Sequence, residues 1–410
     1  MAAPTQIPMS SPDLTGAEIA AVRQVLETPI LSIGPQLGAF EQAVGTYVGV
    51  PHAVGVNSGT SGLHLAMIAA GVQEADLVIT TPFSFIASAN SILYERAIPV
   101  FVDVDPATGN IDPARVAAAA AGLVAGEAEA TDWLPPALRR TGYRVDRSQV
   151  RAVLPVHAFG QPADMGPILE TAHRYGLAVV EDACEAIGAE YKGRKAGTLS
   201  DAAVFAFYPN KQVTTGEGGM IVTDHPEWAD LFRSLRNQGR DVFDGWLNHT
   251  RLGYNYRLDE MSAALGLAQM ERIDELLTKR AQVAGWYDAR LAGMELVERP
   301  YIAPTTTRMS WFVYVVRIQP PAQRDAVIAA LAAAGIPSRP YFTPIHLQPF
   351  YRERFGYGRG DFPVTEYLGD VSLALPFSGV MTESQVHQVC TILQRTLHST
   401  AASQNMAVPV

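Results

Sequence analysis

Cysteine is nearly absent from this sequence, and basic residues are fewer than acidic ones. Among 410 residues there are two cysteines, Cys184 and Cys390, so a disulfide framework is excluded and a reducing, cytoplasmic location is expected. No pair of cysteines or histidines has the spacing of zinc ligands, which argues against a metal site. The 31 Lys and Arg residues against 41 Asp and Glu residues give a formal charge of −10, which is unfavourable for a nucleic-acid-binding protein.

Long hydrophobic runs are missing as well. The longest small-apolar stretches are interrupted by glycine and fall short of the roughly 20 residues that a membrane-spanning helix needs. The first residues contain no basic residue before Arg23 and no continuous apolar segment, so we expect neither a signal peptide nor a membrane partner. With 48% hydrophobic and 18% charged residues the composition is that of a globular protein, and the length indicates two domains.

Seven short apolar runs, rich in β-branched residues, predict the strands of one sheet. Several are apolar throughout, as expected for strands that are covered on both faces. Helical patterns follow some of them, at 62–70, 111–121 and 166–175, and this alternation predicts a largely parallel α/β sheet flanked by helices. The runs are 53–56, 77–81, 100–104, 152–157, 178–182, 202–207 and 220–223. Because ligands of such sheets bind at the carboxyl ends of the strands, we expect the functional residues just after these runs.

The pattern changes after residue 223 and predicts a second, smaller α+β domain that ends in a helix at 383–397. Residues 122–149 are rich in Gly, Glu and Pro and are interpreted as a loop inserted in the large domain. We therefore predict an N-terminal arm, a large domain, a small C-terminal domain and a flexible tail, at residues 1–35, 36–255, 256–398 and 399–410.

Small polar residues between the first apolar run and its helix could bind phosphate. Residues 57–62 are Asn-Ser-Gly-Thr-Ser-Gly. A helix that begins here would offer free N–H groups and the positive end of its dipole, and Thr60 and Ser61 would add hydroxyl donors. The same residues would equally serve as an ordinary helix N-cap.

Other strand ends carry single candidate residues. Asp182 ends an apolar run, where its carboxylate needs a cation or donors; a protonated pyridine nitrogen, a helix N-cap or an ion pair would each satisfy it. Lys211 lies beyond a buried run and before the glycine-rich TTGEGG segment, so it is either a nucleophilic, Schiff-base-forming amine or a surface lysine. Phe85 follows another run and could cover a flat heterocycle or pack in the core.

The order of these signals resembles that in the DegT/StrS family of sugar aminotransferases, which are pyridoxal-phosphate enzymes of fold type I. The resemblance extends from Pro8 to about Leu397. The motifs that carry it are SGTSGLHLA (58–66), PVFVDVDPATGNIDP (99–113), PVHAFGQPADM (155–165), VVEDACEAIGAEYKGRKAGTLSDAAVFAFYPNKQVTTGEGG (179–219) and GYNYRLDEMSAALGLAQ (253–269). Together these motifs are highly specific.

The resemblance implies a pyridoxal 5′-phosphate cofactor and assigns the residues that act on its ring. Lys211 matches the lysine that forms a Schiff base with the cofactor and then moves the proton. Asp182 matches the carboxylate that keeps the pyridine nitrogen protonated, which makes the ring an electron sink. Phe85 matches the aromatic side chain that stacks on the ring.

The resemblance also implies a phosphate site and a homodimer. Thr60 and Ser61, with Gly59, match the cradle of the cofactor phosphate. Asn255 matches a residue that reaches the cofactor phosphate of the neighbouring subunit, which implies a dimer with two shared active sites.

The sequence departs from the family pattern at two positions. Where the family usually has a serine that contacts the phosphate, this chain has Ala206, and Tyr208 or Asn210 could supply the missing contact. Where the family commonly has Gln or His near the phenolic oxygen of the cofactor, this chain has Glu185. Its carboxyl could bond that oxygen only if one of the two carries a proton, or it could face the sugar.

The implied reaction moves an amino group from L-glutamate, which leaves 2-oxoglutarate, to a keto-sugar. By family analogy the acceptor is a nucleotide-linked 4-keto-6-deoxy sugar of amino-sugar or surface polysaccharide biosynthesis, with a 3-keto sugar or an inosose as alternatives. Residues proposed to bind this substrate are Lys195, Arg339, Tyr341 and His346. A sugar dehydratase is disfavoured because such relatives replace the lysine with histidine, and a non-catalytic ligand-binding regulator is disfavoured because the lysine and the aspartate are both present.

Overall fold

A computed structural model describes residues 7–126, 128–240 and 248–405 of the chain. The strands are β1 (His52–Val56), β2 (Leu77–Thr80), β3 (Ile98–Phe101), β4 (Val150–Val153), β5 (Ala178–Asp182), β6 (Glu190–Tyr191), β7 (Arg194–Lys195), β8 (Ala202–Ala206), β9 (Gly219–Thr223), β10 (Val297–Glu298), β11 (Thr306–Arg308), β12 (Tyr314–Ile318) and β13 (Ser372–Leu375).

The α-helices lie between these strands and at both ends of the described chain. They are α1 (Gly16–Leu26), α2 (Pro35–Val48), α3 (Gly59–Ala69), α4 (Ala87–Tyr94), α5 (Pro113–Ala125), α6 (Ala128–Thr131), α7 (Pro136–Thr141), α8 (Met165–Tyr175), α9 (Pro226–Arg236), α10 (Glu260–Met270), α11 (Ile273–Leu291), α12 (Ala322–Ala333), α13 (Pro349–Phe355), α14 (Pro363–Val371) and α15 (Glu383–Asn405).

All seven predicted runs lie in one sheet of seven strands, whose order is β1-β9-β8-β5-β4-β2-β3. The pairs from β8 to β3 are parallel, and only β9 runs antiparallel to its neighbours β1 and β8. The predicted α/β fold, a largely parallel sheet flanked by helices, is therefore confirmed. It is also the arrangement that the resemblance to fold type I enzymes implied.

Helices cover both faces of this sheet, which explains why its strands are apolar throughout. In β8, Val204 packs in a cluster with Phe232 of α9, whereas the next residue, Phe205, packs in the cluster of Phe40 from α2. Neighbouring residues of a strand point to opposite faces, so both of these faces are buried. Because β1, β2, β5 and β8 run in the same direction, their carboxyl ends meet at one edge of the sheet.

A second, antiparallel sheet follows later in the chain, in the order β10-β12-β13. Its core contains the stacked rings of Tyr287 and Tyr314 and is closed by α11, α12 and α15. Ile7 from the start of the described chain is buried in the same core. Helix α1 lies against α10, where its buried Glu18 accepts hydrogen bonds from Gln269 and Arg272.

The segment 122–149, predicted as an inserted loop, contains helical structure. Helix α5 continues through Ala125, and α6 and α7 follow. The reason is apolar burial: Ala130 and Leu134 lie in the hydrophobic cluster that contains the buried residues of α5, and Trp133 packs against it. The composition of the segment hid these short helices, because Gly and Pro mark their ends.

The last helix also extends further than the sequence predicted. The sequence predicts a helix that ends at residue 397 and a flexible tail from residue 399, whereas α15 continues to Asn405. No glycine or proline interrupts this stretch, so nothing in the sequence stops the helix. Residues 406–410 of the predicted tail and 1–6 of the predicted arm lie outside the described residues.

Across the described ranges, the helices all fall short of the combination of length and apolar character that a bilayer-crossing helix requires.

The start of α2 is held by a side chain from α10. Glu260 is buried, and its carboxylate accepts from the backbone N–H groups of Gly34 (3.0 Å), Gln36 (2.8 Å) and Leu37 (3.0 Å). A Cβ atom at Gly34 would lie 2.6 Å from this carboxylate, so the glycine allows its close approach. Three N–H groups that helix geometry leaves without an intrahelical partner are satisfied in this way.

We expect the substitution Glu260→Ala to lower the free energy of unfolding by about 2–3 kcal/mol, because it leaves buried donors without an acceptor. Urea denaturation of the purified variant would measure this. The control is Glu271→Ala, which removes an exposed carboxylate just after the same helix and should change the free energy by less than about 0.5 kcal/mol. Equal effects of the two substitutions would refute the capping role.

Candidate active site

A cavity of about 520 Å³ lies at the carboxyl ends of β1, β2, β5 and β8. It brings together seven of the residues predicted from the sequence to bind a cofactor, which are Gly59, Thr60, Phe85, Asp182, Glu185, Asn210 and Lys211. Later segments of the chain add Phe312, Pro340, Tyr341 and Phe342 to its wall. The fold thus gathers residues that are far apart in sequence at one edge of the sheet.

The N-terminus of α3 forms one end of the cavity. Gly59 and Thr60 occupy the first positions of this helix, where backbone N–H groups have no partner within the helix. Both residues line the cavity. The positive end of the helix dipole and these donors suit an anion such as a phosphate.

Ser61, predicted to be part of the same cradle, is instead used in capping the helix. Its N–H donates to Ser58 Oγ at 3.1 Å, and its hydroxyl donates to Asn57 Oδ1 at 2.7 Å. It is buried and is not among the residues that line the cavity. Ser61 therefore belongs to the N-cap of the helix, and its neighbours Gly59 and Thr60 remain the candidates for the phosphate site.

Gly59 lies unusually close to β8. A Cβ atom added there would lie 2.7 Å from Ala206 Cβ and 2.8 Å from Cys184 Sγ, so no larger residue fits without a shift. Ala206 lines the cavity together with Tyr208 and Asn210, the two residues that could compensate for a missing serine hydroxyl. Asn210 Oδ1 is buried without a hydrogen-bond partner among the described residues, so this amide has unused capacity beside the cavity.

Asp182 presents its carboxylate to the cavity from the end of β5. Ser88 Oγ donates to Oδ2 at 2.6 Å, and the N–H of Cys184 donates to Oδ1 at 3.2 Å. Asp182 is nearly fully buried, yet these two donors leave lone pairs of the carboxylate available. It can therefore accept a further hydrogen bond from a protonated ring nitrogen of a ligand.

The neighbouring carboxylate, Glu181, lies on the opposite face of the strand and is fully buried. It accepts hydrogen bonds from a ring nitrogen of His157 (2.8 Å), the N–H groups of Gly197 and Leu199 (3.0 Å each) and Ser200 Oγ (2.8 Å). Burial alone would raise the pKa of Glu181, but these bonds hold it below its usual value. Glu181 is thus structural, and the backbone N–H of its partner His157 donates to Asp182 O at 3.0 Å.

Lys211 reaches the cavity from the loop after β8. Its Nζ atom lies 3.5 Å from Glu185 Oε1 and 3.7 Å from the centre of the Phe312 ring. Glu185 Oε2 also accepts from the N–H of Phe159 at 2.9 Å. Burial raises the pKa of Glu185, although the charge of Lys211 and the Phe159 N–H oppose that change.

Two aromatic residues follow β2, and they have different surroundings. Phe83 is buried and contacts Phe159 and Phe342 edge-on, with ring centres 6.1 and 5.7 Å apart. Phe85 lines the cavity and is 63% exposed, so its ring is available to a flat ligand. The structure therefore gives the core position to Phe83, and the contact of Phe85 with a flat ligand stays a prediction.

Of the residues predicted to bind the sugar substrate, the structure places Tyr341 at the cavity. Burial and the charge of Glu185 raise the pKa of Tyr341, and the charge of Arg339 opposes this rise. Arg339 is exposed, two residues before Tyr341, and its backbone pairs with Ala374. Arg339 thus lies close enough to influence the cavity through its charge.

The structure does not bring Lys195 and His346 to the cavity. Lys195 lies in β7, where its ammonium contacts the backbone carbonyl of Tyr47 and lies 4.0 Å from the centre of the Tyr47 ring. His346 is fully buried against Glu366, with 3.0 Å between Nε2 and Oε1, and burial lowers its pKa. Both side chains therefore have partners within the chain and lie away from the cavity. The structure does not support the predicted contact of Lys195 and His346 with the substrate.

Asn255 is exposed and is not among the residues that line the cavity of its own chain. Its carbonyl accepts from Asn57 Nδ2 at 3.4 Å, which places it beside the loop that leads into α3.

Sequence reasoning missed Ser88, His157 and Phe312. Ser88 comes from the first turn of α4 and Phe312 from a segment 100 residues after the lysine loop, and neither follows a predicted strand end. His157 could have been paired with Glu181, since both end neighbouring apolar runs, but the sequence does not tell which face each side chain takes.

Comparison with known proteins agrees with this geometry. Residues 12–394 match the family model described as the DegT/DnrJ/EryC1/StrS aminotransferase family. The chain is 40% identical over 396 residues to GDP-perosamine synthase of Caulobacter vibrioides, covering 96% of this chain and 98% of that protein. It is 34% identical to the spore coat polysaccharide biosynthesis protein SpsC of Bacillus subtilis, covering 93% and 95% of the two chains. The crystal structure of S. venezuelae DesV in complex with a ketimine intermediate matches with a TM-score of 0.82 and 32% identity, covering 95% of this chain and 98% of that one.

The raised pKa of Glu185 gives a prediction for stability against pH. The native state holds this proton more tightly than the unfolded chain, whose Glu has a pKa near 4.5. The native state is therefore favoured below that pH, and its free energy of unfolding falls as the pH rises from 4.5 through the raised value. Glu185→Gln removes this titration, so we expect its stability to change less over the same range.

Urea denaturation of the cofactor-free protein at a series of pH values would test this. The exposed Glu217, which also lines the cavity, provides the control Glu217→Gln, whose curve should run parallel to that of the wild type. If the Glu185→Gln curve is also parallel, the carboxyl is not held in its protonated form.

Proposed function

We propose that this chain, which belongs to the DegT/DnrJ/EryC1/StrS aminotransferase family, transfers the amino group of L-glutamate to the keto group of a nucleotide-linked sugar. The family fixes the coarser statement: the chain is an aminotransferase, and its cofactor is pyridoxal 5′-phosphate. The donor, the sugar and the nucleotide are the proposal.

The observation that carries the proposal is that Asp182 and Lys211 face one cavity whose ends are an exposed aromatic ring and a helix N-terminus. The residues present fit the cofactor. Gly59 and Thr60, at the start of α3, would hold its phosphate, Asp182 its ring nitrogen, and Phe85 one face of its ring. When bound, pyridoxal phosphate supplies an electron sink that makes the α-proton of the amino donor removable.

Lys211 is the residue placed to move that proton. Its amine would take the proton from the α-carbon of the donor and deliver it to the C4′ carbon of the cofactor, and with the keto-sugar it would move a proton in the opposite direction. The ammonium that this creates is stabilised by the Glu185 carboxyl group at 3.5 Å and by the face of the Phe312 ring at 3.7 Å. Both contacts therefore hold the Lys211 amine in place at the cavity.

The proposed acceptor is a nucleotide-linked 4-keto-6-deoxy sugar. The relative of 40% identity is named for making GDP-perosamine, and the match covers almost the whole of both chains. A second relative is named for polysaccharide biosynthesis, which supports a place in the synthesis of an amino sugar for a surface polysaccharide. Tyr341 on the cavity wall and the exposed Arg339 beside it are the groups we propose for contact with the anionic substrate.

The proposal is tested by offering the enzyme GDP-, UDP- and dTDP-linked 4-keto-6-deoxy sugars with L-glutamate. We expect 2-oxoglutarate to be released with at least one of them, faster than with a 3-keto sugar or an inosose. Lys211→Ala is the control and should lower the rate by at least about 100-fold, because the proton carrier is lost. Turnover with an inosose alone would overturn the nucleotide-sugar assignment and leave the aminotransferase standing.

We also propose that the active enzyme is a homodimer. Apolar side chains are exposed along α1 and the segment after it, and Leu252, close to Asn255, is 85% exposed; the exposed members of the first group are Ile19, Leu26, Ile30, Leu31 and Ile33. Several exposed apolar side chains within one short segment are typical of an interface between chains. The proposed contact of Asn255 with the neighbouring site would lie at this interface.

Light scattering of the cofactor-loaded enzyme should therefore give twice the mass of one chain. Leu252→Glu is expected to weaken the dimer and to lower activity with it, whereas Val380→Glu, at an exposed apolar residue elsewhere, should leave both unchanged. A monomer with full activity would contradict the shared site.

A further inference from the structure

Arg280, in the middle of α11, is a buried charge that none of the roles above uses. Only 3% of its surface is exposed. A buried charge is costly unless it is well satisfied, so its partners indicate why it is there. Burial lowers the pKa of Arg280 to about 10, which still leaves the guanidinium protonated at neutral pH.

All four hydrogen-bond acceptors of this guanidinium are backbone carbonyls, and they belong to two different segments. Nη2 donates to Asn210 O at 3.1 Å and to Lys211 O at 2.6 Å. Nη1 donates to Trp311 O at 3.2 Å and to Phe312 O at 3.1 Å. One nitrogen therefore binds the loop that carries the lysine, and the other binds the segment that carries the ring beside the lysine amine.

A second buried side chain ties the same segments together. Gln212 Nε2 donates to Glu185 O at 2.6 Å and to Ser310 Oγ at 2.9 Å. The lysine loop is thus fixed on one side by Arg280 and on the other by Gln212. Between these two attachments Lys211 Nζ lies against Phe312 and Glu185, the two groups that stabilise its ammonium form.

We propose that Arg280 is a positioning residue for Lys211. Its planar fork sets the distance between residues 210–211 and residues 311–312, and so directs the lysine amine to the point where it meets both Phe312 and Glu185. A lysine at position 280 could not reproduce this, because its one ammonium nitrogen lacks the two planar Nη donors that bind two carbonyls in each segment. The proposal rests on the aminotransferase activity and is independent of which sugar is the acceptor.

The alternative is that Arg280 only stabilises the fold, and Arg272 provides the matched control for it. Arg272 immediately precedes α11 and binds Asp13, Glu18 and Glu275, so it fixes the N-terminal segment. Within the described ranges, the hydrogen bonds and ion pairs of its side chain go to these residues and not to the lysine loop. Arg272→Met should lower stability without moving Lys211.

The test compares Arg280→Lys, Arg280→Met and Arg272→Met with the wild-type holoenzyme. Three quantities are measured: the thermal midpoint of unfolding, the pH midpoint of the absorption band of the bound cofactor without substrate, and kcat and KM for L-glutamate. The titratable groups around Lys211 are the same in every variant; Asp182, Cys184, Glu185, Tyr208, Glu217 and Tyr341 line the cavity with it, and Asp13 lies with Arg280 on the other side of the lysine loop. Arg280→Lys also keeps the positive charge at residue 280, so a shifted spectral midpoint in this variant reports the position of Lys211, whereas Arg280→Met changes the charge as well.

For both Arg280 variants we expect a shifted spectral midpoint and a kcat lowered by about 10- to 100-fold, because displacement of a reacting group by about an ångström lowers the rate by this much. KM should change less than about threefold. Arg272→Met should lose thermal stability but keep the wild-type midpoint and kcat. The proposal is overturned if either Arg280 variant loses only thermal stability. Arg280→Lys decides the matter if Arg280→Met fails to fold, and the spectral midpoint stands whether or not the proposed sugar is accepted.

Discussion

Two adjacent carboxylates are buried at the end of β5, and the rest of the site depends on the hydrogen-bond donors that stabilise them. Glu181 and Asp182 point to opposite faces of the strand. Glu181 has a full set of donors, from one histidine ring, two backbone N–H groups and one hydroxyl, and has no capacity left. Asp182 has two donors and keeps lone pairs for the cavity. One carboxylate anchors the strand end, which fixes the other as a functional group.

The shortage of basic residues in the sequence is compensated locally, by positively charged groups beside the cavity. The whole chain carries a formal charge of −10, yet its cofactor is an anion. Beside the cavity the structure places three positively charged or partly charged groups: the N-terminus of α3, the ammonium of Lys211, and the guanidinium of Arg280 behind it, whose hydrogen-bond partners are uncharged carbonyls. The net charge of a protein thus says little about the field inside one of its cavities.

The sequence predicted the sheet because buried strands are apolar runs, and it predicted one shared site because residues just after parallel strands meet at one edge. The roles expected for Lys211 and Asp182 came from the resemblance to the family, since each residue alone could equally have been structural. The direction of a single side chain does not follow from such rules. His346 was predicted to bind the substrate, but its ring lies in the core against a carboxylate, and nothing in the sequence distinguishes Arg280 from the other charged residues of α11.

The contact between α3 and β8 has a consequence for how this site can change over time. Because a methyl group at residue 59 would overlap Ala206 and Cys184, the three positions limit one another's volume. A glycine at 59 is the precondition for any side chain at 206, whether alanine or the serine of the family pattern. Exchange at these positions is therefore concerted: among descendants of this sequence, the order in which substitutions arise decides which of them survive.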